Sequence, residues 1–345
     1  MQALLKDRCQ VSSRLQFAAV ILVVSGCLPY LALKTAWISG SSVGIPASSM
    51  LHSEHFADLL VGVNFVTLLM DAAVLALVLV LTRPWGRQFP AWIILVPTWT
   101  ATGLLGPILV AFPVQKAADV IGTTQTQASA AMLEPWVFDT VYAGFGLQAV
   151  GLGALFMAYS FRRWPHVRAR GFERASHAPA STLRNNVYAY CAAITPAVPL
   201  ALQTMWAVLA ATGTGPAYLT QLGRNDVLGH AAMALFASAA LVGAVLLVHR
   251  PHQVPAVLPL VLAWSGSGSL ATWGAWRLLA LLIPSASGPP SAMEVGLFAA
   301  QLVAGLLSGY LLAQAVGERA RQATVSDVEG LAAGIDPHLQ PSRDQ

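Results

Sequence analysis

Two ionisable side chains lie inside long apolar stretches of this sequence, where a charge is costly. Asp71 lies about 13 residues after Asp58 and 11 residues before Thr82. At a helical rise of about 1.5 Å per residue, this places it near the middle of a membrane-spanning helix. A charge at that depth costs about 2.5–3.5 kcal/mol and is typical of ion and solute pathways. Lys34 lies about four residues before the end of the first apolar stretch.

Asp71 shares one helix face with two other polar residues, because Asn64, Thr67 and Asp71 are spaced i, i+3, i+7. A polar stripe on an apolar helix is expected to face the interior of a bundle. Two interpretations of Asp71 are open. It carries a proton or a cation, or it is a structural carboxyl that bonds a threonine of the next helix. The candidate threonines are Thr98, Thr100 and Thr102.

Lys34 is too far from Asp71 for a direct ion pair, since their predicted depths differ by about 13 Å. One interpretation is that Lys34 reaches the membrane interface beside Trp37, and this one is favoured. The other is that it neutralises an anionic group. The better-placed protein partners are Glu54, Asp58, Asn64 and Asp139.

The composition predicts the elements that position these groups. The chain has 345 residues, of which 56% are hydrophobic and 10% charged, and its mean hydropathy is +0.63. A soluble domain is about a quarter charged, so lipid is expected to cover much of this surface. We therefore predict an all-α integral membrane protein with eight transmembrane helices. The predicted spans are residues 15–38, 57–82, 91–111, 137–161, 187–211, 227–249, 255–280 and 293–316.

The two halves of the chain share a pattern of motifs in the same order. L-A-L-x-T-x-W occurs at residues 31–37 and again at 200–206, where Gln203 replaces Lys34. Further matches are Arg83-Pro84 with Arg250-Pro251, Trp99 and Gly103 with Trp264 and Gly268, and Gln148 with Gln301. Four helices return the chain to its starting side, so we predict a tandem 4+4 parallel repeat. Trp99 and Trp264 are expected to pack the repeats together.

These motifs divide the chain into four parts. We predict an N-terminal four-helix membrane repeat (1–161), a basic cytoplasmic linker (162–186), a C-terminal four-helix membrane repeat (187–316) and a polar cytoplasmic tail (317–345). The tail is expected to be helical only briefly. With these spans, 15 of the 19 Lys and Arg residues lie on the side of the N-terminus. That asymmetry predicts a multi-pass protein of the inner (plasma) membrane with both termini in the cytoplasm.

Several functional classes lack their signatures. There is no phosphate loop, G-x-S-x-G, D-D-x-x-D or H-E-x-x-H motif, and the three cysteines form no C-x-x-C pair. The group His52-x-Glu54-His55 is interpreted as solvated loop residues, and Asp226 with His230 as an interfacial capping pair. Because these signatures are missing, we expect no metal and no cofactor. We also expect no nucleic-acid partner, because the distribution of the basic residues is explained by membrane topology.

The stretch Lys34-x-x-Trp37-x-x-Gly40-x-x-x-Gly44, with its Ala/Val/Leu-rich and Arg-over-Lys composition, resembles uncharacterised polytopic membrane proteins of high-GC actinobacteria. The resemblance covers the first helix and the matching motif in the second half. It implies a fold family and a source, and it implies no activity or site residue.

Three functional hypotheses follow from these residues. The leading one is a protein that binds or translocates a small solute through an outward-facing polar pocket in the N-terminal repeat. Lys34, Asn64, Thr67, Asp71 and Asp139 are its candidate site. The second is a membrane-embedded, cofactor-independent enzyme that modifies a lipid or a peptide natural product. The third is a non-catalytic immunity, assembly or regulatory subunit that docks a partner through residues 162–186. Whether the protein is an enzyme stays open.

Overall fold

The computed structural model describes residues 2–47, 49, 54–121, 133–164, 186–214, 224–249, 254–255, 257–282 and 291–335. Within these ranges the chain is helical and contains no β-strand. The helices are α1 (Gln2–Ile38), α2 (Glu54–Thr82), α3 (Ala91–Ile121), α4 (Pro135–Arg163), α5 (Val187–Ile194), α6 (Ala197–Thr212), α7 (Arg224–His249), α8 (Val257–Ala280) and α9 (Ala292–Ile335). A short 3₁₀ helix, Pro84–Gln88, connects α2 to α3.

Seven helical segments among the described residues are long and apolar enough to cross a membrane. They include α5 and α6 together as the segment Val187–Thr212. The predicted span that is not among them is α8, whose Ser265–Ser269 stretch alternates serine and glycine and lowers its hydropathy. The architecture is therefore that of an all-α, multi-pass membrane protein.

Two helices extend beyond their predicted ends. Helix α3 continues ten residues past 111 to Ile121, although it contains Pro97, Pro107 and Pro113. The last helix extends through Ile335, well into the predicted tail. The fifth predicted span, 187–211, agrees with the apolar segment Val187–Thr212, within which Pro196 separates α5 from α6 because it lacks the N–H that a continuous helix needs.

Helix α8 lies at the centre of the bundle, where it packs against α7, α9 and α3. Its buried surface consists mainly of small residues, which allow close approach of neighbouring backbones. Helix α3 also contacts α4 and α7, so it joins the first four helices to the later ones. At the crossing of α3 and α8, Gly103 lies against the backbone of Gly268.

In the first four helices, α1 packs mainly against α4. A Cβ at Gly26 would lie 2.5 Å from the carbonyl oxygen of Gly144, so these two helices are in backbone contact. Helix α2 makes fewer contacts, mainly with α1. This arrangement leaves α2 as the least tightly held of the four helices.

Candidate functional site

Lys34 is buried near the end of α1, with 7% of its surface exposed. Its Nζ donates a hydrogen bond of 2.6 Å to Oδ1 of Asn64 on α2. The same Nζ lies 4.8 Å from the ring centre of Tyr30 and 5.1 Å from that of Trp37. Two aromatic faces and one amide oxygen therefore surround the ammonium group. Among the predicted partners whose side chains are described, Asn64 is the one that bonds Lys34.

The loop after α1 contacts this cluster through Trp37, at the end of the bundle that carries Ile38, which we call the Ile38 end. The indole Nε1 of Trp37 donates to the carbonyl oxygen of Val43 at 2.7 Å. Gly44 has a φ of 73°, a left-handed conformation that favours glycine, and it lies against Val137 on α4. The backbone N–H of Glu134 donates to the Gly44 carbonyl at 2.8 Å. The loop thus connects the ends of α1 and α4.

Asp71 is buried at mid-length of α2, with 4% of its surface exposed. Its Oδ1 accepts a hydrogen bond of 3.5 Å from Nε2 of Gln148 on α4. Its Oδ2 is buried and has no hydrogen-bond partner among the described residues. This carboxyl is therefore held by one long bond, although a buried polar atom is normally satisfied.

One of the two open interpretations of Asp71 has it bonded to a threonine of α3, and the described residues show no such bond. The Thr98 hydroxyl donates to the carbonyl of Ile94 at 2.6 Å, and the Thr102 hydroxyl donates to the carbonyl of Thr98 at 2.8 Å. These hydroxyls use the backbone of their own helix, as Ser and Thr commonly do in membrane helices. The structure gives Gln148 as the partner, which the sequence pattern marked only as a motif shared by the two halves.

Asp71 and Lys34 form no ion pair, as their predicted difference in depth implies: Lys34 bonds Asn64, and Asp71 is bonded by Gln148. Thr67 lies between Asn64 and Asp71 on α2, and its hydroxyl donates to the carbonyl of Val63 at 2.9 Å. The inward face of α2 is therefore a polar series that begins at Lys34 and ends at Asp71.

An apolar layer lies beyond Asp71, toward the end of the bundle that carries Arg163. Its buried members come from α1, α2, α3 and α4 and include Val23, Val74, Leu77, Ile94 and Leu152. Beyond this layer, the Tyr159 hydroxyl donates to the carbonyl of Gly86 at 3.2 Å. Arg163 Nη2 donates to the carbonyl of Phe89 at 2.6 Å. The polar series is thus closed at the Arg163 end.

Asp139, the remaining predicted site residue, does not contact Lys34. It pairs with Lys116 of α3, at 2.6 Å between Oδ1 and Nζ, and Lys116 also pairs with Asp119 at 3.3 Å. The three side chains are 41–48% exposed, so the pairs contribute about 0–1 kcal/mol each. The predicted third span ends at residue 111 and leaves Lys116 in a loop, whereas α3 extends beyond it, so this group was not predicted.

A second polar contact occurs in the later helices. His230 Nδ1 of α7 lies 2.6 Å from Gln203 Oε1 of α6, so the ring nitrogen donates to the amide oxygen. The His230 ring also meets the edge of Trp206 at 5.2 Å. The imidazole of His230, predicted to form a capping pair with Asp226, is thus bonded to Gln203.

The side chains of the histidine-rich group at residues 52–55 lie outside the described residues. Across the part of the chain that is described, no three His, Cys, Asp or Glu residues are grouped so that they could hold a metal ion.

No protein-family model, curated protein or solved structure matches this chain. The resemblance of the first helix to actinobacterial membrane proteins stays a prediction. The geometry of the polar series is therefore what a functional proposal must rest on.

Proposed function

We propose that this protein binds or translocates a small solute through a polar pocket in its first four helices, open toward the Ile38 end. The observation that carries the proposal is the unpartnered Oδ2 of buried Asp71. Asp71 lies two helical turns from Asn64 on the same face of α2, and Asn64 accepts a hydrogen bond from Lys34. A cation site and an anion site thus line one inward surface of α2.

A purely structural role accounts poorly for Asp71. An ionisable group at mid-membrane costs about 2.5–3.5 kcal/mol, and a structural carboxyl would recover part of this through two or more good hydrogen bonds. Asp71 has one bond, at the 3.5 Å limit. A proton or a cation on the free oxygen would satisfy it, which is the role we assign to it.

Lys34 supplies the complementary chemistry. Its ammonium group has three N–H donors, and the hydrogen bond to Asn64 uses one of them. Asn64 is neutral, so no direct partner among the described side chains cancels the charge of Lys34. We assign Lys34 to an anionic group of the solute, with Tyr30 and Trp37 flanking it. Because the Arg163 end is closed, translocation would require a second conformation that opens that end.

We further propose that α1–α4 and α5–α9 are two parallel repeats. The support comes from reciprocal hydrogen bonds at the crossing of α3 and α8. Trp99 Nε1 donates to Ser267 Oγ at 3.1 Å, and Trp264 Nε1 donates to Thr102 Oγ1 at 2.9 Å. Each tryptophan thus bonds the residue three positions after its counterpart, which a twofold relation between the repeats would produce.

The membrane orientation is also a proposal. The distribution of Lys and Arg favours an inner membrane with both termini and the Arg163 end in the cytoplasm, and hence a pocket that faces outward. Most of the arginine-rich linker, residues 165–185, lies outside the described residues. Its proposed contacts are anionic lipid headgroups or a partner subunit.

The test is solute-dependent proton movement in proteoliposomes. Purified protein is reconstituted with the pH indicator pyranine inside, and a panel of small carboxylates, sulfonates and amino acids is added outside. Protein-free liposomes give the background from passive diffusion. We expect at least one solute to change the internal pH above this background. Asp71→Asn is expected to abolish the change, and Lys34→Met to reduce it at least tenfold.

Matched controls come from the exposed pair at the end of α3. Lys116→Met and Asp119→Asn remove the same charges outside the polar series and should leave the signal within twofold of wild type. The proposal is wrong if Lys34→Met and Asp71→Asn transport as wild type does, or if no solute in the panel gives a protein-dependent signal.

A further inference from the structure

We infer that the solute is an organic anion with a flat, ring-sized apolar body, bound with its charge at Lys34 and its body on a series of aromatic rings. This inference rests on the proposed function and names the class of solute. The rings are Tyr30 on α1, Phe138, Tyr142 and Phe145 on α4, and Phe112 on α3.

The rings form a continuous series that starts at Lys34. The Tyr30 ring, 4.8 Å from Lys34 Nζ, meets the edge of Phe145 at 5.2 Å. Phe145 meets the edge of Tyr142 at 6.1 Å, and Tyr142 stacks on Phe112 at 5.7 Å. Phe138 lies 6.4 Å from Tyr142 on the same helix. The part of a ligand next to an anionic group bound at Lys34 would therefore contact aromatic side chains.

The five rings of the series are less buried than the two most buried aromatic side chains of the described residues. Those two, Tyr159 and Trp206, are 3% and 4% exposed, as expected of rings that fill a core. All five rings of the series are only partly buried, although they come from three packed helices. Their remaining exposed surface, in a series that begins at the buried Lys34, is suited to contact with a planar group.

The charges along the series distinguish its two ends. Lys116 lies 5.9 Å from the ring of Phe112, but Asp139 and Asp119 pair with it. Lys34 contacts a neutral amide instead. Of the two lysines that contact the series, the one without a carboxylate partner among the described side chains is therefore at the Tyr30 end. A carboxylate or sulfonate is expected there, and the body of the ligand is expected to extend toward Tyr142.

The test compares three probes that separate the charge from the ring: 3-phenylpropanoate, 3-phenylpropanol and propanoate. Equilibrium dialysis of radiolabelled 3-phenylpropanoate against the full-length protein in detergent measures binding. We expect saturable binding that unlabelled 3-phenylpropanoate displaces. The alcohol and the short acid should each compete at least tenfold more weakly.

Variants assign the two contacts. Lys34→Met should weaken 3-phenylpropanoate at least tenfold and leave the weak binding of 3-phenylpropanol unchanged. Tyr142→Leu and Phe112→Leu should each weaken 3-phenylpropanoate at least threefold, whereas Tyr142→Phe, which keeps the ring, should not. Trp276→Leu removes an exposed ring of α8 outside the series and should have no effect. Circular dichroism and size-exclusion profiles establish that each variant is folded. If one of the two ring variants does not fold, the other still tests the aromatic contact.

The outcomes separate this inference from the proposed function. Equal, Lys34-dependent affinity for propanoate and 3-phenylpropanoate would overturn the ring-bearing class and leave an anion pocket. Binding of 3-phenylpropanoate that Lys34→Met does not change would overturn the inferred site. Absence of 3-phenylpropanoate binding, together with Lys34-dependent transport of a ring-free solute, would overturn the inference alone.

Discussion

The two halves of the molecule make the same type of contact with different chemistry. In the first half, Lys34 of α1 bonds Asn64 of α2 at 2.6 Å beside Trp37. In the second half, Gln203 of α6 bonds His230 of α7 at 2.6 Å beside Trp206. Both contacts join neighbouring helices at a tryptophan. The first places a cation there, whereas the second is built from an amide and an imidazole.

The second membrane span of each half, α2 in the first and α7 in the second, also differs in how tightly it is packed. In the second half, Gly243 of α7 lies directly against the backbone of Ala263 on α8. Gly62 of α2 and Gly229 of α7 both have no neighbouring described atom within 4 Å of the position of a Cβ, but α2 makes fewer contacts with other helices than α7 does. The helix that carries Asp71 is thus the less tightly packed of the two. Buried charge and loose packing are both costly to stability, and their coincidence supports a binding role for the first half.

The largest expected effect comes from placing the same side chain on the two second helices. Gly243→Leu forces a bulky group into the α7–α8 contact and should destabilise the protein by about 3 kcal/mol or abolish its folding. Gly62→Leu should change stability by less than about 0.5 kcal/mol. Thermal unfolding in detergent, followed by tryptophan fluorescence, measures both. Similar losses for the two variants would show that α2 is packed as tightly as α7.

Replacing Asp71 tests whether the first half gives up stability for its function. Asp71→Leu combined with Gln148→Leu removes the unpartnered carboxyl oxygen and its amide neighbour together. We expect this double variant to be more stable by about 1–3 kcal/mol and inactive in the proteoliposome assay. Asp71→Leu alone should gain less, because it leaves Nε2 of Gln148 unpaired. A double variant less stable than wild type would assign Asp71 a structural role.

Much of the fold could be predicted from the apolar stretches, and the errors have definite physical causes. Charge and polar composition after residue 111 suggested a loop, but Lys116 and Asp119 are spaced i, i+3 and pair on a continuing helix. Pro107 and Pro113 also lie inside α3, as prolines in membrane helices can. Pro196, in contrast, separates α5 from α6 within the fifth span. Local sequence alone does not distinguish these prolines.

The inward face of α2 could be predicted from its spacing, whereas the partner of Asp71 could not. Gln148 reaches Asp71 because Gly26 and Gly144 bring α1 and α4 into backbone contact. That contact is between helices more than 100 residues apart in the chain. The aromatic series depends on the same packing, since its rings come from α1, α3 and α4. Periodicity gives the face of one helix and no information on which helix lies opposite.

A transplant of the first contact into the second half gives a moderate effect. Gln203→Lys places a buried cation beside His230 and should cost up to about 3 kcal/mol. Adding His230→Asn recreates the Lys34–Asn64 pair and should recover about 1.5 kcal/mol, because an amide oxygen then accepts from the ammonium group. Unfolding free energies of the two single variants and the double variant give the coupling. Strict additivity would show that the two contacts are not equivalent.

The smallest expected effect concerns the crossing of α3 and α8, where the halves should behave alike. Trp99→Phe and Trp264→Phe each remove one indole N–H donor, and each should cost about 1 kcal/mol. Double-mutant cycles of Trp99→Phe with Ser267→Ala and of Trp264→Phe with Thr102→Val should both give couplings of about 0.5–1.5 kcal/mol. The crossed pairs, Trp99→Phe with Thr102→Val and Trp264→Phe with Ser267→Ala, should be nearly additive. Two couplings of similar size would mean that the halves share a symmetric contact at their centre and have diverged away from it. A coupling in one cycle and none in the other would remove the support that this crossing lends to a twofold relation.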